Sequence, residues 1–261
     1  MILDTIVLST AKRVAAAKKQ LSLLQVKAAA MEMNCTTGFS FERQLTGAGI
    51  NFICEVKRAS PSKGLIVTDF PYLDIAREYE EAGAAAISVL TEPEFFLGSD
   101  KYLREISAAV TVPCLRKDFI IDEYQIFEAK LLGASAVLLI CAILDGETVK
   151  RYIELCDTLG LSALVEVHDE KEMYSAIEAK ARVIGVNNRN LNDFTVDIGT
   201  SRRLCDLAPP DTTFVAESGI KTAADVAVLR NSGVNAVLVG EALMRAENKK
   251  KMLAELRGDA R

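Results

Sequence analysis

Between Glu55 and Ser60 the chain places a carboxylate, an ammonium, a guanidinium and a hydroxyl in close succession, within N-F-I-C-E-V-K-R-A-S. The residues just before, Phe52-Ile53-Cys54, are apolar and read as a buried strand, and Ser60-Pro61-Ser62-Lys63-Gly64 punctuates its end as a loop. Side chains alternate across a strand, so Glu55 and Lys57 fall on the same side. Lys and Glu are almost never fully buried unless paired. The stretch is therefore either a structural ion pair at a strand end or one wall of a functional cavity.

The same kinds of residue return further on, each time behind a short apolar run. They are Thr91-Glu92-Pro93 with Phe95, Phe96, Gly98 and Ser99; Arg116, Lys117, Asp118 and Phe119; Glu166 and His168; Asn187, Asn188, Arg189 and Asn190; Glu217, Ser218 and Gly219; and Gly240 with Glu241. Brought to one mouth, these lysines, carboxylates, amide and arginine would each be costly to bury alone, and the cluster is offset only if charges pair or meet a charged ligand. Gly219 and Gly240 stand where backbone N–H groups could approach a phosphate. Phe96 and Phe119 suggest a flat or apolar part of the ligand, with ordinary loop anchoring as the plainer reading. His168 directly precedes the acidic helix start Asp169-Glu170 and reads as a cap or loop residue.

Positioning such residues is the work of the elements between them. From Asn51 onward, segments ending in a small residue plus glycine lead into short apolar strands: A-G-A-A-A-I-S-V-L from Ala82, L-G-A-S-A-V-L-L-I from Leu132, L-G-L-S-A-L-V-E-V from Leu159 and S-G-V-N-A-V-L-V-G from Ser232. Gly83, Gly133, Gly160 and Gly233 are expected at helix C-termini, where a left-handed residue is needed. Their separations are near two, one and three multiples of about 25 residues, a plausible βα unit. Further strands are expected near Val112–Arg116, Arg182–Val186 and Thr213–Ala216, giving eight with the one at Asn51. Amphipathic helices are expected over Asp74–Ala82, Asp122–Leu132, Gly146–Leu159 and Thr222–Asn231. Strict alternation predicts an α/β fold, a closed (β/α)8 TIM barrel, with chemistry at the C-terminal strand ends. A doubly wound sheet is the alternative, but no G-x-G-x-x-G follows a strand. Residues 1–50 predict an N-terminal helical extension, one short helix and one longer, and residues 51–261 a single catalytic barrel.

Composition excludes several classes. The 261 residues are 50% apolar with a formal net charge of -5, enough for a large core and without the basic surplus of a nucleic-acid binder. Six cysteines lie scattered without a C-x-x-C pair, and there is one histidine, so no metal site is expected and a reducing cytoplasm is. The longest apolar run, near Ala134–Leu144, is too short to cross a bilayer, and the acidic N-terminus lacks the form of a signal peptide.

The strand-end segments E-V-K-R-A-S-P-S-K-G, T-E-P-E-F-F-L-G-S, L-R-K-D-F-I-I-D-E-Y-Q-I, L-V-E-V-H, G-V-N-N-R-N-L, A-E-S-G-I and V-G-E-A-L-M-R resemble, in order, those of the indole-3-glycerol phosphate synthase family. The resemblance implies decarboxylating ring closure and dehydration of 1-(o-carboxyphenylamino)-1-deoxyribulose 5-phosphate, without metal or organic cofactor, by a cytoplasmic enzyme expected to be monomeric. It implies Lys117 as general acid, Glu166 as acid/base partner and Lys57 as a carboxylate ligand with a second role as proton donor. It implies Glu55 and Asn187 as orienting groups, and Glu217 and Ser218 as contacts to substrate hydroxyls. Arg189 would hold the carboxylate; Ser60, Gly219, Gly240 and Glu241 fall at the phosphate end; Phe96 and Phe119 form the aromatic pocket. Asp193 and Ala216 depart from the family's usual small hydroxyl residues. A Schiff-base aldolase barrel and an inactive barrel subunit of a biosynthetic complex are the rival readings. The loop Pro61–Gly64 is expected to be mobile and to close over substrate.

Overall fold

A computed structural model describes residues 2–47, 49–191 and 193–259; the outer ends of the expected domain ranges, Met1 and Arg261, lie outside them. Three helices come first: α1 (Ile2–Gln20), α2 (Leu23–Glu32) and α3 (Ser40–Leu45). The expected pair of helices is thus corrected to three. Ser22 ends the first by capping the second, its hydroxyl accepting from Gln25 N while the Gln25 side chain reaches back to Ser22 N. Gly38 and Phe39, both at positive φ, set the turn into α3.

Eight parallel strands then close into a barrel: β1 (Asn51–Val56), β2 (Ala86–Leu90), β3 (Cys114–Lys117), β4 (Ala136–Ile140), β5 (Ser162–Val167), β6 (Val183–Asn187), β7 (Thr213–Glu217) and β8 (Ala236–Val239). Closure is made by β1, which pairs with β2 on one side and with β8 on the other. Helices α4 (Tyr72–Glu81), α5 (Asp100–Ala109), α6 (Glu123–Leu131), α7 (Gly146–Leu159), α8 (Glu170–Glu178), α9 (Gly199–Cys205) and α10 (Ala223–Asn231) follow the first seven strands, and α11 (Glu241–Arg245) and α12 (Lys249–Arg257) follow the last. Their starts are fixed locally: Ser99, Asp122, Asp145, Asp169 and Thr222 each accept a backbone N–H of the turn they precede. Gly83, Gly133, Gly160 and Gly233 all have positive φ at helix ends, as their spacing predicts.

Period-two alternation divides the strands into two cores. Outward residues such as Phe52, Cys54, Ile87, Val89, Val137 and Val165 pack under the helices. Inward residues Ile53, Ala86, Leu115, Leu138, Leu164, Val183, Val215 and Leu238 fill the barrel with Phe41 and Leu45 of α3, which plug its N-terminal end. Two residues further along the strands, the inward positions become Glu55, Lys117, Glu166, Gly185 and Glu217. The apolar filling thus ends under a polar layer at the C-terminal mouth. Beyond β1, Ala59–Ser60 pairs antiparallel with Gly64–Leu65, so Pro61–Lys63 forms the tip of a short hairpin at that mouth.

Candidate active site

One cavity of about 670 Å³ opens at the C-terminal end of the barrel. Glu55, Lys57, Ser60, Phe96, Lys117, Phe119, Glu166, Asn187, Arg189, Glu217, Ser218, Gly219, Gly240 and Glu241 all line it. Every residue given a site assignment from sequence therefore faces the same space. Arg116, read at the same strand end as Lys117, does not; it points outward under the helices.

Lys117 is the centre of the polar layer. Its Nζ lies 3.1 Å from Glu166 Oε2 and 3.2 Å from Glu217 Oε2. Burial disfavours its charge, but Glu166, Glu217 and Glu55 outweigh that and raise its pKa, so the ammonium is held ready. Burial acts on Glu166 in the opposite sense to its partners, and Lys117 and His168 win, leaving the carboxylate ionised below its ordinary range. Glu217 goes the other way: burial, then the charges of Glu166 and Glu55, push it up to about 7 against Lys117. Two carboxylates on one ammonium cannot both be fully compensated, and the second is poised to hold a proton near neutrality. Its Oε1 is buried with no hydrogen-bond partner among the described residues.

On β1, Lys57 Nζ meets Glu55 Oε1 at 2.5 Å, so the ion-pair reading of that stretch and the cavity-wall reading both hold. The neighbouring glycines make room for these charges. A Cβ on Gly240 would come within 2.5 Å of Glu55 Oε1 and 2.9 Å of Lys57 Nζ, and one on Gly185 within 2.4 Å of Glu217 Oε1. Gly240 is at φ -118, open to any residue, so space for the ion pair dictates its identity. Gly219 is different: its φ of +84 and a Cβ contact of 2.4 Å to Val196 Cγ1 both demand glycine.

Asn187 Nδ2 donates to Glu166 Oε1 at 3.3 Å, and its Oδ1 accepts Arg189 N at 3.1 Å, tying the loop after β6 to the central carboxylate. Ser218 sits at φ +65, a left-handed conformation that costs a non-glycine residue on the order of 1 kcal/mol. Asn188, itself buried, holds it there by donating to Ser218 O at 3.2 Å. On the far wall the Phe96 and Phe119 rings lie 5.9 Å apart. The Phe96 loop is built on Glu92, whose buried carboxylate accepts from the backbone N–H groups of Glu94, Phe95 and Phe96. Glu241 pairs with Lys63 of the hairpin at 3.5 Å and with Arg245 at 3.2 Å. Among the described residues no group of three His, Cys, Asp or Glu side chains is placed to hold a metal ion, and no helix is long and apolar enough to cross a membrane.

Two contributions escape a reading of strand ends. Ile2, Leu3 and Ile6 of α1 line the cavity, and from the same helix Ser9 donates to Glu94 and Arg13 grips Asp118 at 2.7 and 2.9 Å. Residues 2, 6, 9 and 13 recur at helical spacing, so one stripe of α1 roofs the mouth. That periodicity was available in the sequence; the surface it faces was not. The second is His168. Asp169 is the helix cap, and His168 stands between Glu166 and Glu172.

A family model described as indole-3-glycerol phosphate synthase matches residues 3–256. A protein of that name from Ruminiclostridium cellulolyticum is 57% identical over 260 residues, covering 100% of both chains. Another from Endomicrobium trichonymphae is 55% identical over 257 residues, covering 98% of this chain and 100% of that one. Among solved structures, thiamine phosphate pyrophosphorylase from Pyrococcus furiosus matches with a TM-score of 0.58 at 20% identity, over 83% of this chain and 96% of that one, a likeness of fold alone. With matches running almost end to end, the chain belongs to the indole-3-glycerol phosphate synthase family.

Proposed function

We propose that the chain converts 1-(o-carboxyphenylamino)-1-deoxyribulose 5-phosphate to indole-3-glycerol phosphate, CO₂ and water, with Lys117 as the acid that starts the reaction. The observation that carries this is the half-buried ammonium of Lys117 set between Glu166 and Glu217, in a cavity that Phe96 and Phe119 also line. The ring carbon attacks the substrate carbonyl while Lys117 Nζ–H protonates its oxygen. The C–CO₂ bond then breaks, its electron pair restoring the aromatic ring, so here the protein needs chiefly to bind and orient. The new hydroxyl leaves with a proton as water, Lys57 or Lys117 being the donor. Glu166 takes the proton lost from the carbon beside nitrogen.

Arg189 and Lys57 hold the substrate carboxylate, Glu55 and Asn187 orient Lys57 and Glu166, and Glu217 and Ser218 meet the hydroxyls. Ser60, Gly219 and the N–H groups around Gly240 receive the phosphate, with the Glu241 carboxylate turned onto Lys63 and Arg245 and away from it. We take a monomer as the working unit, with residues 51–261 as one catalytic domain whose mouth is roofed by Ile2, Leu3 and Ile6 of the helical extension. A Schiff-base aldolase reading would need an unprotonated lysine, and the carboxylates around Lys117 oppose that.

The chain contains no tryptophan, so indole fluorescence after addition of the substrate reads the product over a tyrosine background. A rising indole signal with CO₂ release is expected. No signal at substrate saturation, or a borohydride-trapped adduct at either lysine, overturns the assignment.

A further inference from the structure

The reaction assigned above does not balance in protons within the substrate. The carbonyl oxygen receives one proton to become a hydroxyl and a second to leave as water, whereas only one is released, from the carbon beside nitrogen. Loss of the carboxylate as CO₂ leaves this difference uncompensated. Each turnover therefore consumes one proton, and consumes it in a cavity that the substrate fills.

His168 lies behind that cavity, in contact with Glu166 but not among the lining residues. Its Nδ1 is 3.0 Å from Glu172 Oε2, which also accepts the His168 backbone N–H at 2.8 Å. A carboxylate oxygen only accepts, so Nδ1 carries a hydrogen. Nε2 is buried, makes no hydrogen bond among the described residues, and lies 3.4 Å from Glu166 Oε1. With Nδ1 protonated, a neutral imidazole would leave the Nε2 lone pair 3.4 Å from that carboxylate, outside hydrogen-bond alignment. A proton on Nε2 or on Glu166 relieves this repulsion, and a small turn of the ring then aligns Nε2–H with Oε1.

The surroundings favour the imidazolium. Glu172 of α8, Glu166 of β5 and Glu217 of β7 all face the ring, and together they raise its pKa against the effect of burial. Asp169 follows it in the chain. Lys117 stands beyond Glu166, and the nearby Cys141 thiol is pushed up to about 12 by burial, so it holds its own proton and takes no part.

We infer that His168 is the proton reserve of the site, carrying on Nε2 the proton that each turnover consumes and delivering it through Glu166 to Lys117. The inference rests on the assignment of Glu166 as acid/base partner. In the transfer the Nε2–H bond breaks and a Glu166 Oε1–H bond forms, leaving neutral imidazole. Glu166, whose Oε2 is 3.1 Å from Lys117 Nζ, then passes a proton to the amine that has given one up. Once product leaves and water refills the cavity, a solvent proton taken by Glu166 recharges Nε2. His168 acts through Glu166 and is not itself a substrate contact.

The test uses the fact that the chain has a single histidine, so its imidazole signals in NMR are unambiguous. In the full-length protein the imidazole is expected to titrate above the ordinary value of about 6.5 and to fall by about one pH unit in Glu166→Gln. In steady state, kcat is expected to decline as pH rises through the His168 pKa. His168→Gln should lower kcat about tenfold at neutral pH, abolish that alkaline limb, and leave KM within about twofold. A merely structural histidine would leave the shape of the pH profile unchanged. An imidazole already neutral at pH 7, or a pKa indifferent to Glu166→Gln, overturns the proposal even should His168→Gln not fold. So does a folded His168→Gln with an unaltered kcat profile. Turnover retained in Glu166→Gln would instead remove the role of Glu166, a separate failure.

Discussion

Two ionic clusters sit back to back on β3, and the difference between them separates scaffolding from chemistry. Arg116 and Lys117 are consecutive, so alternation sends them to opposite faces of the strand. Arg116, fully buried, donates to Thr91 Oγ1, Gln125 O, Asp100 and Glu128, and lies 3.5 Å from Asp118, which Arg13 grips from the other side. There each charge has a partner. Behind Lys117, by contrast, Glu217 Oε1 and His168 Nε2 are buried without hydrogen bonds among the described residues. The saturated cluster has nothing left to offer a ligand, while the unsaturated one is complete only when something binds or a proton moves.

The largest effect should come from breaking the second cluster. Lys117→Ala is expected to lower kcat by about 10²–10⁴-fold while leaving substrate binding largely intact; isothermal titration beside a turnover assay checks both, and substantial remaining turnover removes the acid assignment. Breaking the first should act on stability. Arg116→Met leaves Asp100, Asp118 and Glu128 without their shared cation and should cost about 3–5 kcal/mol in urea unfolding. A loss below about 1 kcal/mol would mean that the saturated cluster does not hold the barrel together.

The two clusters should also tilt stability in opposite directions with pH. For Asp118, burial raises the pKa but Arg116 and Arg13 prevail and lower it. Its contribution is present above the ordinary carboxylate value of about 3.9 and is lost as pH falls through the depressed one, so Asp118→Asn should flatten the acid limb of unfolding. Glu217, raised to about 7, contributes fully below the ordinary value of about 4.3 and loses that contribution as pH rises through 7. Urea midpoints measured from pH 4 to 8 should show this second slope disappear in Glu217→Gln. The smallest effect is expected where charges meet in water. Lys63→Ala breaks the half-exposed pair with Glu241 and should change stability by less than about 1 kcal/mol.

Much of this was legible in the sequence because a barrel strand has period two. Once Ile53, Leu115, Leu164 and Val215 are taken as filling, the inward residue two places on is Glu55, Lys117, Glu166 or Glu217, and the mouth can be written down. The left-handed glycines marked the helix ends for a local reason of the same kind. What stayed hidden depends on which elements meet in space. Arg13 carries no sign of its partner Asp118, more than a hundred residues away. Gly240 reads from the sequence as a phosphate-loop glycine, and only the fold adds that the Glu55–Lys57 pair fills the place of its missing Cβ. His168 reads as a cap because its neighbour is one, and only the fold brings Glu172 back across it.

The pairing of β1 with β8 also has a consequence for how the enzyme is made. Residues Asn51–Cys54 find their ladder partners at Ala236–Val239, so the first strand synthesised waits for the last. At the ribosome's pace of about 5–20 residues per second, that interval lasts on the order of ten seconds or more. Throughout it Glu55 and Lys57 lack the space beside Gly240 that their ion pair occupies in the folded protein. A chain released before Ala236–Val239 therefore carries nearly all the residues of the site without the closed barrel that assembles them.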